Sequence, residues 1–375
     1  MRQGRHQTRR RHFWPHPSFA PHGPLLRTLA LIGLNIRGQY PDLMTSSEHE
    51  HGHENGHENG HEHTHGHDDH VFDEDMWAEF AQSLEEEGEV LSVFALKAID
   101  RVINIRAGQP ADVRHIIDVG SGPGVGSTAW ATAFPTAIVT AADSSPSMLA
   151  RAVARAERHD LGSRVRAVAA EMPAGLAGME PADIVWASMS LHHVGDEIAA
   201  LQTMYNALVP GGLVVIAEFP PSEGLMSIAS PSIDLEAPEL WQRVSAASSD
   251  WFVRMRASLP DHKESRPLEE MIAEAGFELV WSGIERMHLD APLSDRERRL
   301  AIKLAVGLAR RQLATHLSAS DLAYLDALAD PDDPRCLLRR DDVSINTAQL
   351  IVIARRSATA ERNLICELRP VDAGQ

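Results

Sequence analysis

Three stretches of this 375-residue chain bring together residue types that can do chemistry. Residues 115–127 read HIIDVGSGPGVGS, an apolar run that reaches Asp118 and then breaks into glycine at Gly120, Gly122, Gly124 and Gly126. Glycine has no Cβ, so such a loop lets backbone N–H groups come close to a ligand, and the acid adds an acceptor for hydroxyl or ammonium groups. Further along, SMSLHHVGD sets His192 beside His193. Imidazole is the side chain whose proton exchange lies nearest neutrality. The third stretch, residues 48–70, alternates nine histidines with carboxylates around a repeated HENG. Here His51, His53, His57, His61, His63, His65 and His67 offer non-specific ligands to a divalent metal, without the spacing that preorganises a tetrahedral centre. Such a tract buries no apolar surface and is expected to be a disordered tail.

A glycine loop of this kind is useful only where a strand delivers it and a helix leaves it. The hydrophobic pattern predicts both: strand 115–119, helix 126–134, strand 137–142, helix 147–159, strand 165–169, strand 183–187, helix 196–208 and strand 213–218. Apolar strands alternating with helices imply an α/β, doubly wound, mostly parallel sheet, here of seven strands. Two N-terminal helices are expected within 71–111 as a lid, and an inserted helical pair within 294–330, before a last strand SINTAQLIVIARR. Residues 220–265 read as irregular, with Trp241, Trp251 and Phe252 available to pack or to stack on a planar ligand. The main domain is therefore set at 112–356, with 220–265 and 294–340 as cap segments, followed by a tail at 357–375.

A dinucleotide loop requires GxGxxG, and the place of its third glycine is held by Val125. What stands instead is DxGxGxG. With IIDVGSGPG, the strand-two acid in VTAADSSPSMLARA, AAEM, ADIVWASMSLHHV and ALVPGGLVVIAE in that order, the chain resembles the class I S-adenosylmethionine-dependent methyltransferases of small-molecule type. The resemblance runs from about residue 112 to 219 and returns at 266–289 and 344–356. It implies a Rossmann-like fold and S-adenosylmethionine as cofactor, held by Asp118, Gly120, Gly122, Gly124, Asp143, Met148, Glu171 and Met172. Asp143 would accept the ribose hydroxyls, and Glu171 and Met172 would lie near the adenine. Bland alternatives stay open: Asp143 as a helix cap, Asp118 as a loop-ordering acid, Glu171 as a solvated strand end. The implied reaction is in-line transfer of a methyl group to a small-molecule acceptor, with His192 or His193 as general base if the nucleophile is protonated.

Composition narrows this further. Residues 1–43 carry seven arginines against one acid and 44–70 carry seven acids, which leaves nearly all of the net charge of −18 on the remaining chain. An acidic body of that kind repels phosphate backbones, so no nucleic-acid partner is expected. No run of eighteen apolar residues occurs, so no membrane partner is expected either. Two cysteines without a CxxC pair fit a reducing, cytoplasmic setting and exclude cysteine-rich metalloid chemistry. Residues 1–43 read as translated leader or disordered arm ahead of Met44. SMSL replaces the [DNS]PP[YFW] tetrapeptide of enzymes that methylate nucleobase amines. A homodimer through the inserted helices is open, as is a second class of function: a non-catalytic methyltransferase-like protein carrying a metal-binding tail.

Overall fold

The computed structural model describes residues 74–106, 110–220, 227–229, 237–307, 309–310 and 313–358. The chain divides into units 1–68 and 69–375, and all described residues belong to the second. The leader arm, the His-rich tail and nearly all of the C-terminal tail lie outside the described residues.

Eight strands form one sheet in the order β3-β2-β1-β4-β5-β8-β6, with β7 on the remaining side of β8. They are β1 (His115–Val119), β2 (Ile138–Asp143), β3 (Val165–Ala169), β4 (Ala182–Ser188), β5 (Leu208–Glu218), β6 (Ser227–Ala229), β7 (Glu278–Leu289) and β8 (Ser344–Arg355). The first five pair in parallel, whereas β8 runs antiparallel to β5, β6 and β7. The seven expected strands are present, and the three-residue β6 is an addition too short to leave a periodic signal.

Neighbouring residues of each central strand feed opposite cores, as a period of two demands. Ile116, Ile184, Trp186 and Val215 pack with Ile99, Trp130, Phe134 and Ala152 on one face. Ile117, Val185 and Val214 pack with Leu201, Met204 and Ile272 on the other. The helices that cover the sheet are α1 (Glu74–Ile105), α2 (Val125–Ala133), α3 (Pro146–Arg158), α4 (Glu197–Asn206) and α6 (Leu268–Glu274). A third core, with Leu240, Leu300, Leu325, Leu328 and Ile345, belongs to the cap built from α5 (Pro238–Ala257), α7 (Asp295–Ile302) and α8 (Ala319–Ala329). Among the described residues no helix is long and apolar enough to cross a membrane.

Two expectations need correction. The N-terminal pair is a single 32-residue helix, α1. Gly88 does not break it, because the missing side chain is where α1 presses on α2: a Cβ there would stand 3.0 Å from Val125 Cγ2. The 220–265 segment is not irregular throughout, since 20 of its residues form α5. Ser248 and Ser249 hydrogen-bond back to the carbonyls of Val244 and Ser245, four residues earlier, and so remain compatible with the helix.

The acidic run of α1 ties these parts together. Glu85 meets Arg155 at 2.8 Å and Arg151 at 3.3 Å, and also pairs with Arg158. Glu89 meets Arg155 at 2.6 Å and Arg296 of α7 at 2.5 Å. Arg155 is 6% exposed and also donates through Nε to Thr128 Oγ1 at 3.1 Å. Its removal takes the most buried cation from the cluster while Arg151, Arg158 and Arg296 remain, so Arg155→Met should lower the unfolding free energy by about 2 kcal/mol in urea titration. A loss below about 0.5 kcal/mol, typical of an exposed pair, would show that the cluster is not a structural tie.

Candidate active site

The glycine loop lies where β1 and β2 end side by side. Gly120 N and Ser121 N donate to Ala142 O at 2.8 and 3.1 Å, which fastens the loop to the tip of β2. Gly122 follows at φ 51°, donates to Asp143 Oδ2 at 2.9 Å, and a Cβ on it would meet nothing within 4 Å. Left-handed backbone facing open space is a cradle that glycine keeps clear for a ligand. Asp143 Oδ1 accepts Ser145 N at 2.8 Å, and it is Ser145, not Asp143, whose side chain caps α3 by accepting from Met148 N. Asp143 is thus held at the mouth of the loop and is not consumed as the cap.

Asp118 sits beneath the loop, 2% exposed, and accepts Ser127 Oγ at 2.6 Å. Burial pushes its pKa up to about 7; the Ser127 hydrogen bond opposes this, and the charge of Asp143 adds to it. Gly124 closes the loop against α3, where a Cβ would fall 2.7 Å from Ala152 Cα. Met148 is buried in the first turn of α3. Ala170 N donates to Asp143 O at 3.0 Å, which brings Glu171 and Met172 close behind the tip of β2, Glu171 exposed and Met172 half-buried.

A second loop, the 3-10 turn Leu191–His193, stands beyond β4. Its hub is Glu218 at the end of β5. Glu218 Oε1 accepts Ser190 N at 3.1 Å and Leu191 N at 2.8 Å, while Oε2 lies 2.7 Å from His192 Nδ1. Ser190 also donates through Oγ to Val119 O at 3.0 Å, joining the turn to the glycine loop. The His192 ring lies 4.2 Å from that of His193, 5.2 Å from Phe219 and 5.7 Å from Phe252. Although His193 as a residue is exposed, lost hydration of its ring lowers its pKa to about 4, the charges of His192 and Arg256 adding to the effect and Glu218 opposing it.

The structure therefore brings Asp118, Gly120, Gly122, Gly124 and Asp143 into one assembly and connects His192 to it through Ser190. It separates the two histidines: His192 has a carboxylate partner, and His193 does not. Glu218, Ser190, Ser121 and Arg256 are absent from the sequence-level site. Glu218 had a legible signal, since β1, β2 and β5 all carry an acid at or near the end of an apolar run, as IIDV, TAAD and VIAE show. Among the described residues no cluster of three or more His, Cys, Asp or Glu is arranged to hold a metal.

Comparison with known proteins agrees with this geometry. Residues 116–212 match the profile of a methyltransferase domain. The chain carries a methyltransferase domain over these residues. Similar named proteins include trans-aconitate 2-methyltransferase of Delftia acidovorans, 31% identical over 106 residues, 28% of this chain and 38% of that protein. A ubiquinone/menaquinone biosynthesis C-methyltransferase of Escherichia coli is 30% identical over 101 residues, 26% of this chain and 39% of that protein. The chain thus matches about two fifths of the length of these relatives. An O-methyltransferase family protein of Burkholderia thailandensis superposes at TM-score 0.42 and 17% identity over 76% of this chain and 61% of that one, a likeness too distant to bear on function.

S-adenosylmethionine, the cofactor that the resemblance implies, fits the loop on two observations. The space above Gly122 is clear, and Ser121 Oγ, in a residue 8% exposed, has no hydrogen-bond partner. A buried hydroxyl left unpaired costs about 1–3 kcal/mol, so it marks a place where a polar ligand completes the structure. The raised pKa of Asp118 gives a separate expectation. A carboxyl lifted from 3.8 to about 7 by folding contributes stability that is full below pH 3.8 and is lost as pH rises through about 7. Asp118→Asn should therefore gain stability relative to the unmutated chain on the alkaline side of pH 7. Urea unfolding on both sides tests this, and an equal difference on both sides would show that Asp118 is already ionised.

Proposed function

We propose that the protein transfers a methyl group from S-adenosylmethionine to a small-molecule acceptor whose nucleophile carries a proton, with His192 as the base that removes it. The observation that carries this reading is the Glu218–His192 contact at 2.7 Å, made beside the glycine loop at the carboxyl ends of β4 and β5. Ligands of open α/β sheets bind at those ends.

Bound there, S-adenosylmethionine supplies an electrophilic methyl on a sulfonium. Gly120, Gly122 and Ser121 would face its amino-acid part, Asp143 its ribose hydroxyls, and Glu171 with Met172 the adenine side. Each oxygen of Asp143 already accepts one backbone N–H and keeps a further lone pair for a hydroxyl. Glu218 accepts the Nδ1 proton of His192, which fixes the tautomer in which Nε2 is the free basic nitrogen. That nitrogen would take the acceptor's proton as the acceptor receives the methyl group in exchange for the sulfonium–methyl bond. The imidazolium that results is stabilised by the Glu218 carboxylate beside it. His193, pushed toward the neutral form but without a carboxylate partner, serves better as a wall of the acceptor site than as its base.

The reading as a non-catalytic binding domain finds no support, since the relatives named above are methyltransferases and the loop residues are intact. The deciding assay incubates the protein and methyl-labelled S-adenosylmethionine with an extract of the source cells, then fractionates it. Label should enter the small-molecule fraction. Asp143→Ala should abolish cofactor binding in calorimetry, while His192→Gln should keep that binding and slow transfer by about 10²–10⁴-fold. Label in macromolecules, or full transfer by His192→Gln, would overturn the proposal.

A further inference from the structure

The turn that carries His192 is gripped from two sides. Glu218 holds its N–H groups from the sheet. The opposite side, its carbonyls, is held by the cap: Arg256, in the last turn of α5, donates from Nη1 to His192 O at 2.7 Å and to Val194 O at 2.8 Å. Arg256 is 4% exposed, a burial that a guanidinium charge tolerates only when it is paired. Its Nη2 lies 2.9 Å from Glu197 Oε2, at ion-pair distance but out of line for a hydrogen bond.

The grip continues along the chain. Lys263 N donates to Gly195 O at 3.0 Å, and Lys263 Nζ reaches Asp196 at 2.6 Å. Asp196 is itself the cap of α4, accepting Ala199 N at 3.0 Å. Ser265 donates to Glu197 Oε2 at 2.8 Å. Between them Pro260 O comes so close to Gly195 that a Cβ there would fall 1.8 Å from it. Nothing larger than glycine fits. Segment 256–265 is thus laid along 192–197 by a buried cation, two ion pairs and a backbone contact.

From this geometry we infer that Arg256 is a positioning residue for the reaction, and that segment 256–265 of the cap is a working part of the His192 turn. The inference rests on the proposal that His192 is the base. An anion receives the N–H end of the turn and a cation the C=O end, so both ends of its peptide dipoles are matched. Without Arg256 the two carbonyls are left unpaired, the turn relaxes, and the ring of His192 drifts from Glu218. Misplacement of a reacting group by about 1 Å costs about a hundredfold in rate, which a contact remote from the methyl can therefore control.

The test compares full-length Arg256→Met, Arg256→Lys and Gly195→Ala with the unmutated chain. Gly195→Ala leaves Arg256 in place and pushes the Pro260 segment away, so it reports on the same grip if Arg256→Met folds poorly. Amide exchange read by mass spectrometry on peptides covering 188–197 should show lost protection in Arg256→Met and Gly195→Ala, with protection at β1 and β2 unchanged. S-adenosylmethionine affinity should stay within error, and labelled transfer into the extract should fall about ten- to a hundredfold, partly restored in Arg256→Lys. Unaltered exchange at 188–197, or unaltered transfer in both disruptive variants, overturns the inference. Failure of the base proposal is seen separately, as full transfer by His192→Gln; the exchange data then still decide whether Arg256 holds the turn.

Discussion

Each loop of the site is held by a carboxylate that accepts two backbone N–H groups. Asp143 takes those of Gly122 and Ser145, and Glu218 takes those of Ser190 and Leu191. Asp183 does the same at the other end of the sheet, where its Oδ2 accepts Arg114 N and His115 N as β1 begins. A hydrogen bond to an ionised acceptor contributes about 1.5–3 kcal/mol, roughly twice a neutral one. Two such bonds on one side chain hold a loop that has no regular ladder of its own. The glycine loop and the His192 turn have their shapes because those acids lie at strand ends, where side chains at the tip meet the chain as it leaves the sheet.

The same placement explains what was legible beforehand. β1 and β3 have the limits expected from apolar runs, and the glycine loop with Asp143 follows from motif and spacing. Such features are local, so a few consecutive residues encode them. Glu218 also ends an apolar strand, but its partners are Ser190, Leu191 and His192, 26 to 28 residues earlier, and only the pairing of β4 with β5 brings them together. Arg256 is less legible still. In sequence it is one arginine in a stretch that reads as irregular, and its role depends on where the end of α5 comes to rest. The helical spacing of 71–111 does not tell one helix from two; the packing of Gly88 against Val125 shows α1 running unbroken past that glycine.

Ionic contacts divide the work between parts that apolar packing leaves distinct. The sheet and the cap have separate hydrophobic cores. Between them run charged seams: the acids of α1 toward α3 and α7, and Arg256 with Lys263 toward the turn after β4. Buried ion pairs give little net stability against a well-packed apolar alternative, but they are directional and reject a shifted register. A seam of this kind suits a site in which the cap must meet the sheet in one orientation.

β8 carries the last consequence. Its outer end, Ser344–Asn346, pairs with β6, and Ile345 belongs to the cap core. Its inner end, Leu350–Arg355, pairs with β5 in the middle of the sheet. One continuous twelve-residue strand is therefore a beam embedded in both bodies. The cap cannot swing as a door on a flexible hinge without bending that beam or unzipping it from β7. Entry to the site must then come from smaller movements of the chain around the acceptor space, and a cap exchanged between related proteins would have to bring its own half of the strand.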